Sequence, residues 1–224
     1  MKRLLFSAAI LCGTLASCSK YQLNVISSTN GTKSQETGEY EFENDSVKIS
    51  YSFYGAEAPV AVNVYNKLNQ PLYIDWQKSA LVINERAVSY LSDNVKINGT
   101  ISAETDTYNR GIIADASHYT NGTLNANATL PKSTTFLPPH SQSTNRSVQL
   151  VAGFLAIPDS VFKYERAVYT DQGNVVLSKV KAANFSEQDS PLKFKSYLTL
   201  YTITDNQVKP IAYEHDFFIS KSIA

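Results

Sequence analysis

The chain has 224 residues, 20 Lys+Arg against 20 Asp+Glu, three His, two Cys, and 43% hydrophobic residues that include 14 Tyr and 10 Phe. A formal charge of zero gives no electrostatic footprint for nucleic acid or for an anionic membrane surface. The composition also excludes a disordered chain, a disulfide-rich mini-protein and a multi-span membrane protein. It indicates no activity.

The first residues have the layout of a secretory signal. Lys2-Arg3 precede an apolar run over residues 4–11, which is too short to span a bilayer. The segment ends in Leu15-Ala16-Ser17-Cys18. This sequence resembles the lipobox of bacterial lipoproteins, in which the chain is cut before the cysteine. The resemblance implies a signal peptide over residues 1–17, a diacylglyceryl group on the Cys18 thiol and an acylated amino group, so that the membrane is a partner through the acyl chains of Cys18.

The alternative is an ordinary signal peptide with an incidental cysteine. In the lipoprotein interpretation Cys12 leaves with the signal peptide, so no thiol is left for a disulfide. Ser19 follows the cysteine where an inner-membrane retention signal would have Asp, which favours a lipid-anchored protein of the outer membrane. No acidic run follows Cys18, so whether the domain faces the periplasm or the cell surface stays open.

The processed chain begins with a polar segment. Residues 18–38, rich in Ser, Thr, Asn and Gly after the lipidated cysteine, predict a flexible tether. A single domain over residues 39–224 then follows, and its first part alternates apolar and polar residues in the manner of half-buried strands. The apolar positions of these strands are Val47, Ile49, Tyr51 and Phe53, then Val60, Val62 and Val64, then Leu72, Ile74 and Trp76, and a short run over residues 80–83.

The middle of the chain has little periodicity. Residues 92–147 predict a long polar insertion or extended loop. Strand patterns return at residues 148–151, 175–177, 192–200 and 217–219, and residues 160–167 are the best short helix candidate. At least seven short strands separated by turns predict an all-β fold, an antiparallel β-sandwich.

Two segments carry a resemblance to a known class. Residues 51–84 contain two core strands joined by a turn from Asn66 to Pro71, and Leu137-Pro138-Pro139-His140-Ser141 precede a later strand. Together they resemble immunoglobulin-like β-sandwich modules of Bacteroides-type envelope lipoproteins. The resemblance implies an immunoglobulin-like fold and an address in the cell envelope, and it implies no activity.

The chain lacks the common catalytic motifs. It contains no Gly-x-Ser-x-Gly elbow, Ser-x-x-Lys motif or phosphate-binding glycine loop, and a lipidated Cys18 cannot act as a nucleophile. No catalytic residue, metal site or cofactor is predicted. The nearest cluster is Glu214-His215-Asp216, but a strand would point His215 away from both carboxylates. We therefore expect a structural histidine.

Candidate ligand contacts lie beside Trp76. On a regular strand Tyr73 and Asp75 face away from Leu72, Ile74 and Trp76, which makes them a candidate glycan-contacting strip. The alternative, which we favour for Trp76, is a core tryptophan with a solvated opposite face.

Two further positions resemble modification sites. Asp45-Ser46-Val47 and Asp159-Ser160-Val161 resemble the acceptor sequence of Bacteroides-type periplasmic O-glycosylation, with Ser46 and Ser160 as the modified residues.

Three functions remain open at this stage. The leading hypothesis is a non-enzymatic binding or assembly module anchored to the outer membrane, with other envelope proteins as partners and no nucleic acid. The second is a glycan-binding surface lipoprotein. The third is a lipid-anchored hydrolase of unrecognised type, which would need two carboxylates brought together across strands.

Overall fold

The computed structural model describes residues 21–91, 95–108, 117–150, 153–171 and 174–224. These residues form fifteen strands and one short 3-10 turn, Asp159–Val161. The strands are β1 (Leu23–Ser28), β2 (Thr32–Lys33), β3 (Tyr40–Glu43), β4 (Val47–Ser52), β5 (Pro59–Asn66), β6 (Leu72–Ile83), β7 (Arg86–Ser89), β8 (Lys96–Tyr108), β9 (Ser117–Thr129), β10 (Thr134–Leu137), β11 (Gln142–Gln149), β12 (Lys163–Asp171), β13 (Asn174–Asn184), β14 (Lys193–Thr204) and β15 (Gln207–Ile223). No helix among these residues is long and apolar enough to cross a membrane.

Two antiparallel sheets pack face to face. The larger has the order β10-β6-β14-β15-β13-β12, with β1 also paired to β15 and β7 to β6, and the smaller has the order β11-β5-β4-β3-β2. Aromatic rings join the sheets: the centroids of Tyr51 and Phe217 are 5.1 Å apart, and those of Tyr40 and Phe217 are 5.8 Å apart. The prediction of an all-β, antiparallel sandwich is confirmed.

The period-two pattern determines the core. Ile49, Val62 and Ile74 are fully buried on the inner faces of β4, β5 and β6, because alternate residues of a strand point to opposite sides of its sheet. Trp76 is buried, as predicted, and its indole Nε1 donates a hydrogen bond of 2.8 Å to Thr135 Oγ1.

A buried amide ties two turns together. Asn66 has no exposed surface, and its Nδ2 lies 2.9, 3.2 and 3.0 Å from the carbonyl oxygens of Gln70, Leu137 and Pro138. Its Oδ1 accepts a hydrogen bond from the backbone N–H of Leu68. The turn from Asn66 to Pro71 and the later proline-containing loop therefore meet at one end of the sandwich.

Part of the predicted tether, Leu23–Ser28 and Thr32–Lys33, instead forms strands of the two sheets. Leu23–Ser28 forms β1, which pairs with β15 from Leu23↔Ile223 to Ser28↔Phe217, and Ile26 is buried. The serines and asparagines that made this segment look solvated are bonded into the fold. Ser27 Oγ donates to Ser220 Oγ at 2.7 Å, and Ser28 Oγ donates to the Asp216 carbonyl at 2.8 Å.

The predicted insertion and helix also differ from the structure. The polar part of residues 92–147 includes a two-stranded sheet, β8 with β9, whereas β10 and β11 belong to the two core sheets. Polar residues at exposed positions of β11, such as Gln142 and Thr144, concealed the first part of this strand. β10 has only four residues, of which Leu137 is buried. Residues 160–167 are not helical, because the 3-10 turn ends at Val161 and β12 begins at Lys163.

The two ends of the sandwich are distinct. Leu23 and Ile223 lie at one end, which we call the amino-terminal end. The turn between β14 and β15 lies at the other, distal end, together with the turn between β5 and β6, because Tyr201 pairs with both Tyr73 and Pro210 near those turns.

Candidate functional site

An aromatic row crosses the outer face of the larger sheet near its distal end. Phe136 of β10 pairs with Tyr73 of β6, which pairs with Tyr201 of β14. The ring centroids of Tyr73 lie 5.0 Å from those of Tyr201 and 5.4 Å from those of Phe136. Tyr73, predicted from sequence as a ligand contact, is therefore the middle ring of three.

Apolar residues extend this row toward the β14–β15 turn. Pro210 pairs with Tyr201, and Ile203 pairs with Val208 two residues further along, on the same face. Phe136 is 54% exposed and Val208 is 60% exposed. We call the following six residues the distal patch: Tyr73, Phe136, Tyr201, Ile203, Val208 and Pro210. A contiguous apolar surface of this kind is typical of an interaction site.

The ring geometry limits what the patch can bind. The rings of Tyr73 and Tyr201 are nearly parallel, at 5°. Coplanar rings could not approach to 5.0 Å without collision, so the two rings overlap in an offset stack. Part of each inner face is consequently used within the protein. Phe136, tilted by 55° to Tyr73, is the most exposed ring of the three.

Asp75 does not join the row as a free acceptor. Its carboxylate accepts a 3.1 Å hydrogen bond from the backbone N–H of Lys78 and lies 3.4 Å from the Lys78 ammonium. The Asp75 carbonyl accepts a 2.6 Å bond from Ser79 Oγ. These contacts hold a bulge, where β6 breaks register with β14 between Tyr197 and Thr199. Of the two predicted ligand contacts, the structure brings Tyr73 to an exposed patch and gives Asp75 a local structural role.

A buried polar cluster lies between the sheets. The Tyr51 and Tyr90 hydroxyls each donate to Ser196 Oγ at 2.9 Å, and Tyr51 Oη lies 2.8 Å from His215 Nδ1. The His215 ring stacks on Phe42, with centroids 3.6 Å apart. Burial raises the pKa of both phenols, and it lowers the pKa of His215 to about 4.

This cluster has the residue types of a catalytic site but not the access. Tyr51 and Ser196 have no exposed surface, and His215 is 6% exposed. A substrate cannot reach the Ser196 hydroxyl, so the cluster satisfies polar groups within the core. The hydrolase hypothesis gains no support from it.

His215 has the orientation predicted from its strand. It is buried, whereas Glu214 is exposed and Asp216 is half-buried on the other side of β15. Those two carboxylates lie 2.7 and 3.8 Å from the Lys195 ammonium. Within the described part of the chain, no three His, Cys, Asp or Glu side chains gather where they could hold a metal ion.

An open cleft lies at the amino-terminal end. It encloses about 770 Å³ and includes residues of β1, the loop between β4 and β5, and the segment after β11. Ile26, Tyr40 and Ile219 form buried parts of its lining, whereas Tyr54 and Phe154 are exposed. The Gln22 side chain donates a 3.1 Å hydrogen bond to the Leu155 carbonyl and accepts one of 2.7 Å from the Leu155 N–H. These bonds hold the segment after β11 beside the start of β1.

The predicted modification sites are placed as follows. Ser160 is exposed in the 3-10 turn, and Ser46 is half-buried in the turn before β4, where its N–H donates to Asn44 Oδ1 at 2.8 Å. Cys18 lies outside the described residues. All three assignments stay predictions.

No family model matches the chain, and no curated protein matches it. Sequence reasoning missed most of the distal patch. Phe136 lies in the segment interpreted as insertion, although the β-branched pair before it and the prolines after it are a weak strand signal.

Proposed function

We propose that this protein is a non-enzymatic binding module, anchored by lipid to a bacterial outer membrane, which binds another envelope component through the distal patch. The observation that carries the proposal is the patch itself: six apolar or aromatic residues, adjacent on four strands, on an outer sheet face. The lipobox ending at Cys18 supports the anchor.

A protein partner suits this patch better than a sugar. Protein interfaces are enriched in tyrosine and phenylalanine, and contact through ring edges and aliphatic side chains is sufficient there. A pyranose needs a free aromatic face, and the Tyr73–Tyr201 stack covers part of one face of each of these two rings. The leading proposal is therefore binding to another envelope protein.

A glycan remains the second candidate because of one observation. Phe136 is more than half exposed at the edge of the row, on the short edge strand β10. Its outer face could stack on one sugar ring.

The anchor is tested by mass and fractionation. Intact mass of the native protein should show a chain that begins at Cys18 with added acyl chains, and C18S should leave the membrane fraction. An unacylated chain in the soluble fraction would contradict the anchor.

The patch is tested by crosslinking in intact cells. F136S/I203S should lose a crosslinked protein that the native chain captures, because both side chains are exposed and their replacement removes apolar contact area. The control V88S changes an exposed apolar residue on β7, outside the patch, and should keep the crosslink. Equal crosslinking by both variants would contradict the patch as the binding surface. Binding on a glycan array that F136S abolishes, without a protein crosslink, would favour the second candidate.

A further inference from the structure

The β12–β13 hairpin projects beyond the amino-terminal end. Leu23 pairs with Ile223, Ile223 pairs with Ala182, and Ala182 pairs with Lys163, so these four residues form one row across β1, β15, β13 and β12. Because β1 and β13 both run antiparallel to β15, β1 begins at Leu23 on the same side toward which β13 extends before Ala182. The hairpin therefore points toward the side from which the chain enters the domain.

The reach of the chain matches the projection of the hairpin. Leu177, which pairs with Val168, lies five residues beyond Ala182, a distance of about 17 Å along a strand. Cys18 lies five residues before Leu23, so its Cα is at most about 17 Å from Leu23 in covalent reach. The covalent link to Leu23 therefore brings Cys18 at most to about the level of the Val168–Leu177 pair.

One face of the hairpin combines apolar and basic residues. The register places Val168, Leu177 and Val175 together toward its outer part. They are 65%, 70% and 72% exposed. Closer to the Leu23–Ile223–Ala182–Lys163 row, the same face carries three basic residues. Arg166 pairs with Lys179, and Lys181 pairs with Tyr164. We call these residues, with Tyr164, the hairpin face.

Contacts within the hairpin keep this face positively charged. The Lys179 ammonium lies over the Tyr164 ring, 4.2 Å from its centroid. Glu165 points to the opposite face, where it binds Lys221 and Asn184. An anionic surface opposite the hairpin face would therefore meet basic side chains with no described carboxylate among them.

We propose that the hairpin face lies on the bilayer in which Cys18 is anchored. Val168, Val175 and Leu177 enter the boundary between headgroups and acyl chains, and the basic side chains contact anionic headgroups. Exposed Tyr54 and Phe154, beside the cleft at the same end, lie close to the same surface. The distal patch then points away from the membrane. This orientation rests on the lipid anchor of the proposed function.

Lipid quenching tests the orientation on the acylated chain. The protein is reconstituted into vesicles containing phosphatidylglycerol and a lipid with a nitroxide on its acyl chain. Once Cys12 is removed and Cys18 is acylated, L177C provides a single free thiol for an environment-sensitive fluorophore. The matched control, Q207C, labels an exposed position at the start of β15, beside the β14–β15 turn at the distal end. The nitroxide should quench the probe at 177 by about twofold or more and should leave the probe at 207 unchanged.

The outcomes separate the anchor from the orientation. Intact mass of the same sample reports the acyl chains. A chain without them overturns the anchor and with it the orientation, whereas an acylated chain whose two probes are equally unquenched overturns the orientation alone. A probe at 177 that responds only when an envelope extract is added assigns the hairpin to a protein partner and also overturns the proposal.

A charge-reversal pair tests the basic contribution. K179E/K181E should reduce quenching at 177 in anionic vesicles. Loss of two basic side chains worth about fivefold each lowers the docking equilibrium by about 25-fold, and the two added carboxylates lower it further. The control K132E/K209E makes the same change of charge at exposed positions outside the hairpin and should keep the quenching. Equal quenching for both variants would overturn the electrostatic part of the proposal.

Discussion

Acidification should destabilise this fold through His215. Burial lowers the pKa of the histidine in the folded state to about 4, against 6.5 in an unfolded chain. The unfolded state therefore binds more protons between these two values. The stability that His215 contributes is fully present above pH 6.5 and is lost as the pH falls toward 4. Proton linkage gives a loss of about 2 kcal/mol at pH 5 and about 3 kcal/mol at pH 4, relative to pH 7.

A matched variant isolates this effect from other groups that titrate in acid. H215F removes the ionisable ring and leaves an aromatic ring to stack on Phe42, while the Tyr51 hydroxyl still has Ser196 as a partner. The variant should lose about 3 kcal/mol less free energy of unfolding than the native chain between pH 7 and pH 4. H140Q, which removes an exposed histidine from a turn, should keep the full loss because His215 is intact.

Urea unfolding at several pH values measures the difference. Trp76 is the single tryptophan and is buried, so its fluorescence reports the core. If the native chain and H215F lost the same free energy of unfolding between pH 7 and pH 4, the neutral, desolvated state assigned to His215 would be wrong.

Three further predictions concern stability. N66A should lower the free energy of unfolding by about 3 kcal/mol in urea titrations, because it leaves buried carbonyl groups without their shared donor, and N69A, at an exposed turn position, should not. I26A should lower the free energy of unfolding by about 2–4 kcal/mol, since β1 is part of the sandwich. An unchanged midpoint of urea unfolding would instead support a flexible tether. Replacing residues 96–129 by a short Gly-Ser link should leave the melting temperature nearly unchanged, because β8 and β9 pair with each other and with no other described strand. A large drop in the melting temperature measured by calorimetry would show that the β8–β9 sheet supports the core.

The core was predictable because its signal is local. An apolar residue at every second position is a property of five or six neighbouring residues, and it identified Ile49, Val62 and Ile74 without knowledge of their neighbours in space. The turn at Asn66 and Pro71 was predictable for the same reason.

The candidate sites depend on register and were not predictable to the same degree. Phe136, Tyr73 and Tyr201 are far apart in the chain and become neighbours only because β10 and β14 flank β6. The strand pattern showed that Tyr73 faces outward but not that two further rings lie beside it. The polar appearance of β1 likewise concealed a strand, because its serines find partners on β15.

Composition also concealed the basic surface of the hairpin. The net charge is zero, yet the pairing of β12 with β13 collects Arg166, Lys179 and Lys181 on one face and sends Glu165 to the other. A sum over the chain cannot show such a separation, because it has no information about faces.

The amino-acid sequence alone thus determined the class of fold and the alternation that builds the core, and its resemblance to a lipobox predicts an anchor. Tertiary structure decided which strands are neighbours, and with that the distal patch, the closed cluster around His215 and the direction of the β12–β13 hairpin. The physical reason is that side-chain alternation follows from the geometry of a single strand, whereas strand pairing, such as that of Leu23 with Ile223, depends on the free energy of the whole packed sandwich.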